Sequence, residues 1–154
     1  MTRPLDIVVA NDASAVLPRL REALSQGGAA ILPRIDEQRS ADARPQPRHA
    51  ALAPGESPTV RDEPLPDRVA QNIALVIETS GSSGSPKRVA LSTGALLASA
   101  ASVESELGGS GQWLLSLPAN YIAGVQVLVR SIVGGTTPIV QPPGHFSARV
   151  FAQL

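Results

Sequence analysis

Cysteine is absent from these 154 residues, and aromatic side chains make up only 3% of them. Without thiols there are no disulfides and no thiolate metal sites, so the fold must rest on apolar burial. Net charge is also missing, because thirteen Lys and Arg offset thirteen Asp and Glu. No global field draws the chain to nucleic acid or anionic lipid, and neither is expected as a partner. Long hydrophobic runs are lacking too: none approaches the roughly eighteen residues of a membrane helix, and Met1-Thr2-Arg3-Pro4-Leu5-Asp6 has no signal-peptide core. A cytoplasmic protein without a membrane span is the expectation. His49 falls in a polar stretch and His145 has no partner at metal or catalytic spacing, so no metal-ligating residue is assigned.

The length fits about one domain, long enough to bury roughly two-thirds of its unfolded surface. Leu5 to Ala10 reads as a strand, and Asn11, Asp12 or Ser14 can cap a helix that Gly27-Gly28 ends. Pro18 fits a helix best in its first turn, which moves the expected start towards Leu17. Ala29 to Leu32 reads as a short buried strand. From residue 33 to residue 68 prolines interleave with balanced arginines and acids, a composition that cannot bury enough surface to offset ordering, and an exposed connector is expected. The chain thus divides into an N-terminal βαβ-like segment (1–32), the connector (33–68) and a core segment (69–154).

In the core segment Ile73 to Thr79 is apolar without alternation, as in a strand covered on both faces. Lys87 to Leu91 can return beside it. Ser92 or Thr93 can cap a helix whose apolar face is Leu96, Leu97, Ala100, Val103 and Leu107, stopped by Gly108-Gly109. Trp113 to Leu117 reads as a buried strand, and Ile122 to Val133, almost wholly apolar, as an internal helix. Thr136 to Val140 is a further strand, and Phe146 to Leu154 begins a last helix. Strands alternating with helices point to an α/β fold with a mostly parallel sheet flanked by helices.

Between the strands at 73–79 and 87–91 stands Thr79-Ser80-Gly81-Ser82-Ser83-Gly84-Ser85-Pro86-Lys87. Hydroxyls, two glycines that permit close backbone approach, and one mobile cation are the parts of a polyphosphate cradle. The same residues also fit a plain flexible turn. The spacing is not Walker A, since Lys87 has no Gly before it and no Ser or Thr after it, and G-x-G-x-x-G is absent.

Taken in full, the loop, the acidic Glu78 before it and Val-Ala-Leu-Ser-Thr-Gly-Ala-Leu-Leu-Ala-Ser-Ala after it resemble the phosphate loop and following helix of the adenylate-forming (AMP-binding) acyl-CoA synthetase superfamily. Downstream, Trp113-Leu114-Leu115-Ser116-Leu117-Pro118-Ala119-Asn120-Tyr121-Ile122-Ala123-Gly124-Val125-Gln126-Val127-Leu128-Val129-Arg130 is most like the o-succinylbenzoate-CoA ligase branch, which serves menaquinone biosynthesis. The resemblance implies that Thr79, Ser80, Gly81, Ser82, Ser83, Gly84 and Lys87 wrap the ATP phosphates, with Lys87 offsetting charge as pyrophosphate leaves. It implies Mg2+ with the ATP, coenzyme A as cosubstrate, a small carboxylic acid as substrate, and Asn120, Tyr121 and Gly124 in the acyl site. Two positions depart from the pattern. Arg88 stands where glycine is usual, either crowding the loop or adding a second cation, and Asn120-Tyr121 stands where relatives often carry histidine. Arg130 can meet a substrate carboxylate or merely favour its helix C-terminus.

Relatives continue with a grip on adenine, ribose and metal and with an adenylation lysine, none of them recognisable here. The resemblance therefore implies an N-terminal portion, inactive alone, whose partner is a missing C-terminal part or a second copy. A non-catalytic nucleotide-binding or interaction module, and a ligase for another aryl or fatty acid, are the alternatives.

Overall fold

The computed structural model describes residues 1–25, 27–36, 65–80, 86–142 and 148–152. A five-stranded sheet is built from β1 (Thr2–Val9), β2 (Ala30–Arg34), β3 (Arg68–Ala70), β4 (Ile73–Ser80) and β5 (Pro86–Ser92), in the order β3-β1-β2-β4-β5. The central strands β1, β2 and β4 run parallel, while both edges, β3 on β1 and β5 on β4, pair antiparallel. Parallel strands need cover on both faces, and β2 and β4 have it: Ala30, Ile31, Leu32, Ala74, Leu75, Val76 and Ile77 are all buried. A separate parallel pair joins β6 (Leu114–Leu115) to β7 (Ile139–Val140).

Helix α1 (Ala13–Leu24) packs on β1, β2 and β4, α2 (Thr93–Leu107) packs on β4 and β5, and α3 (Ile122–Val133) lies against both helices and β6. The shared core runs from Val8 through Val16, Leu20, Ile31, Leu75 and Leu96 to Leu128. Asp12 caps α1 by accepting from the Ser14 backbone N–H at 2.9 Å, and Ser92 caps α2 through Ala95 at 3.1 Å. Two serine bonds, one side-chain and one backbone, hold the Asp12 carboxyl below its ordinary pKa. Gly108 closes α2 at φ +75°, in the left-handed region that glycine enters without strain.

Arg3 fixes the end of the sheet away from the hairpin loop. It is only 2% exposed, and its guanidinium donates to the carbonyls of Ala23, at 3.0 Å, and Gly28. Two main-chain acceptors where α1 ends are thereby satisfied from β1.

Several elements differ from the sequence expectation. Helix α1 starts at Ala13, not near Leu17, and carries Pro18 inside it; the Asp12 cap and the buried stripe Val16, Leu20, Ala23, Leu24 outweigh the one hydrogen bond that proline forfeits. Strand β2 continues through Pro33 to Arg34, and the short edge strand β3 had no apolar signal to announce it. Helix α3 is not internal all round: Gly124, Val125, Leu128, Val129 and Ser131 are buried, but Ile122 and Val133 are exposed. Its apolar composition exceeds the one face that α1 and α2 cover. The last helix, α4, spans Ala148–Phe151. Most of the expected connector (37–64), and residues 146–147 and 153–154 of the expected last helix, lie outside the described residues.

Candidate nucleotide-phosphate site

The hairpin of β4 and β5 sets the two feet of the glycine-rich loop side by side. Thr79 pairs with Lys87 and Ser80 with Pro86, and the Thr79 hydroxyl donates to the Lys87 carbonyl at 3.2 Å. Lys87 is exposed and forms no ion pair with any described residue. Gly81, Ser82, Ser83 and Gly84 lie outside the described residues. The feet emerge at the carboxyl end of β4, the end at which open α/β sheets bind ligands.

One step before the loop is a row of charge. Counting three residues on from the partner pair Ile31↔Leu75 aligns Arg34 with Glu78, and Glu78 in turn pairs with Arg88. Arg34 donates a fork to Glu78, Nε to Oε2 at 2.8 Å and Nη2 to Oε1 at 2.6 Å, while Arg88 Nε donates to Oε1 at 3.3 Å. The Arg34 bonds, and Arg88 to a lesser degree, hold the Glu78 carboxyl below its usual pKa against the opposing effect of burial. The same pairing raises the pKa of Arg34.

This row settles how Arg88 is placed. Side chains alternate across a strand, so Arg88 and Glu78 share a face opposite to the one shared by Thr79, Lys87 and the core residue Ile77. Arg88 is therefore anchored away from the lysine. In the sequence Glu78 is only an acid beside the loop; its link to Arg34 is not visible there because the two lie 44 positions apart. A lone carboxylate closing an apolar strand was the one available signal.

The other candidate residues stand where α3 begins. Asn120 is half-buried with an unpartnered Oδ1, and Tyr121 is 51% exposed, its N–H donating to the Pro118 carbonyl at 3.2 Å. Gly124 is buried for a steric reason: a Cβ there would lie 2.3 Å from the Pro118 oxygen. Arg130, in the last turn of α3, lies over the Trp113 ring at 4.9 Å, a cation–π contact. Among the described residues no group of three His, Cys, Asp or Glu is placed to hold a metal, and no helix is long and apolar enough to cross a membrane.

The family model for AMP-binding enzymes matches residues 6–154. A probable 2-succinylbenzoate-CoA ligase of Mycobacterium tuberculosis is 45% identical over 73 residues, a match that covers 47% of this chain and 19% of that protein. The fold is similar to o-succinylbenzoate CoA synthetase of Bacillus subtilis in complex with its acyl-adenylate intermediate, with a TM-score of 0.53 and 19% identity over 97% of this chain and 45% of that one. It is equally similar to the amide bond synthetase McbA of Marinactinospora thermotolerans, with a TM-score of 0.55 and 22% identity over 98% of this chain and 37% of that one. The chain thus spans less than half the length of each of these relatives. With the loop at the end of β4 and the family model matching nearly its whole length, the chain belongs to the AMP-binding enzyme family, the adenylate-forming ligases.

Proposed function

We propose that this chain is the phosphate-holding part of an AMP-forming o-succinylbenzoate-CoA ligase. The observation that carries this reading is the hairpin itself: Thr79 and Lys87, register partners where β4 ends and β5 begins, flank seven residues that are small or proline, Ser80 to Pro86. The matching segment of the mycobacterial relative, at 45% identity, supports the choice of substrate.

In such a reaction the substrate carboxylate attacks the α-phosphorus of ATP, giving an acyl-adenylate and pyrophosphate. The thiol of coenzyme A then displaces AMP to form the thioester. The part assigned to this chain is binding and charge compensation. Loop N–H groups and the hydroxyls of Ser80, Ser82 and Ser83 donate to the β- and γ-phosphates, Thr79 holds the foot of the loop through its bond to the Lys87 carbonyl, and Lys87 offsets the charge gathering on the leaving pyrophosphate. Bound together with the nucleotide, Mg2+ would supply charge neutralisation beyond that of the single Lys87. Asn120 offers its side-chain amide N–H and Tyr121 its hydroxyl and ring face to the acid, with Gly124 holding their turn against Pro118.

The adenine, ribose and adenylation groups are assigned to a further part of the enzyme, so the chain alone binds nucleotide without turning it over. Asn120-Tyr121, in place of an imidazole, favours a second reading in which the acid is another aryl or fatty carboxylate. Exchange of labelled pyrophosphate into ATP tests both. Joined to the downstream part of a complete relative, the chain should support exchange that depends on o-succinylbenzoate. Exchange driven better by a different acid would reassign the substrate, and none with any acid would remove the ligase reading.

A further inference from the structure

Arg34, Glu78 and Arg88 stand at one level on three adjacent strands, β2, β4 and β5, and form a plus-minus-plus row across the sheet immediately before the loop. The row has a mechanical consequence. The backbone ladder between β2 and β4 has its partner pair three residues earlier, at Ile31↔Leu75, so at the loop end the two strands are joined by the Arg34–Glu78 fork. Arg88 carries the link on to β5.

We propose that Glu78 is a positioning residue for the phosphate loop, tying the hairpin that carries it to the carboxyl end of β2 through Arg34 and Arg88. Holding Arg88 and Glu78 on one face obliges their neighbours Lys87 and Thr79 to point to the other, because successive strand side chains alternate. The Thr79 hydroxyl, donating to the Lys87 carbonyl, then sets the spacing between the feet of the loop. An arginine where the family resemblance implies glycine is thus matched by a carboxylate that holds it away from the lysine. Planar bidentate pairing suits this task, since the fork fixes direction as well as distance. Glu78 itself makes no contact with phosphate in this arrangement.

The inference rests on the reading that the loop holds nucleotide phosphates, and calorimetric titration of the chain with Mg-ATP and with Mg-pyrophosphate separates the two claims. Glu78→Gln should weaken binding of both ligands by about tenfold, the size of a typical coupling between contacting groups. Arg88→Gly leaves the Arg34 fork intact and so gives an answer even if Glu78→Gln folds poorly; it should weaken binding about threefold, a smaller coupling of the same kind. Glu78→Asp, which keeps the charge, should recover part of the loss, whereas a merely structural defect would track the melting temperature. If the native chain binds and both Glu78→Gln and Arg88→Gly bind as tightly, the positioning role is overturned while the loop stands. If the native chain binds neither ligand, the loop reading falls and this inference with it.

Discussion

Arg3 and Arg34 stand at opposite ends of the same sheet and are held in opposite ways. Arg3 is buried at the amino end of β1 and spends its guanidinium on main-chain carbonyls of Ala23 and Gly28. Arg34 closes the carboxyl end of β2 with its side chain 38% exposed and its fork on a carboxylate, Glu78. The first arrangement ties β1 to the main chain where α1 ends, and its removal takes a charged donor from both carbonyls. The second is a partly solvated ion pair, worth little to stability but precise in direction. The difference separates an end of the sheet built for cohesion from an end built to present a loop.

That contrast can be broken most strongly at the cohesive end. Arg3→Ala should cost about 3 kcal/mol, because one buried and one part-buried carbonyl lose a charged donor and a cavity opens, and urea unfolding would read the loss directly. A loss below about 1 kcal/mol would mean that water replaces the guanidinium and that the burial argument is wrong. Gly124→Ala should follow at about 2 kcal/mol. Alanine gains roughly 1 kcal/mol of helix propensity over glycine, but forcing a methyl to within 2.3 Å of the Pro118 oxygen costs more, so the sign is destabilising.

At the ligand end the expected effects on stability are smaller. The folded pKa of Glu78 is depressed, so its contribution is present above the unfolded-state pKa and is lost as pH falls through the folded value. For a partly exposed pair the total is about 1 kcal/mol or less. Glu78→Gln should therefore lower the melting temperature slightly at neutral pH and flatten its fall on acidification, as thermal scans across the acid range would record. Lys87→Ala should change stability by less than about 0.5 kcal/mol, since the side chain is exposed and makes no ion pair with any described residue.

How much of this was legible in the sequence follows the same division. The unbroken apolar run from Ile73 to Ile77 announced a strand covered on both faces, and the small residues after it announced the loop, because both signals are local. The capping of α2 by Ser92 and its stop at Gly108 were legible for the same reason. The Arg34–Glu78–Arg88 row was not, since it depends on the register of β2 against β4, fixed by tertiary packing. Pro18 misled because one proline weighs less than a buried stripe of four residues, and α3 misled because apolar composition does not say how many faces have neighbours. The steric need for Gly124 became visible only once Pro118 had a place in space.

The central claim is that the hairpin loop between β4 and β5 holds the phosphates of a nucleotide, and titration of the chain and of its Lys87→Ala variant with Mg-ATP tests it most directly. The account predicts measurable binding by the native chain, competition by pyrophosphate, and at least about tenfold weaker binding by the variant at an unchanged melting temperature, as befits a charge-assisted contact. Equal binding by the two proteins, or none by either, would contradict it.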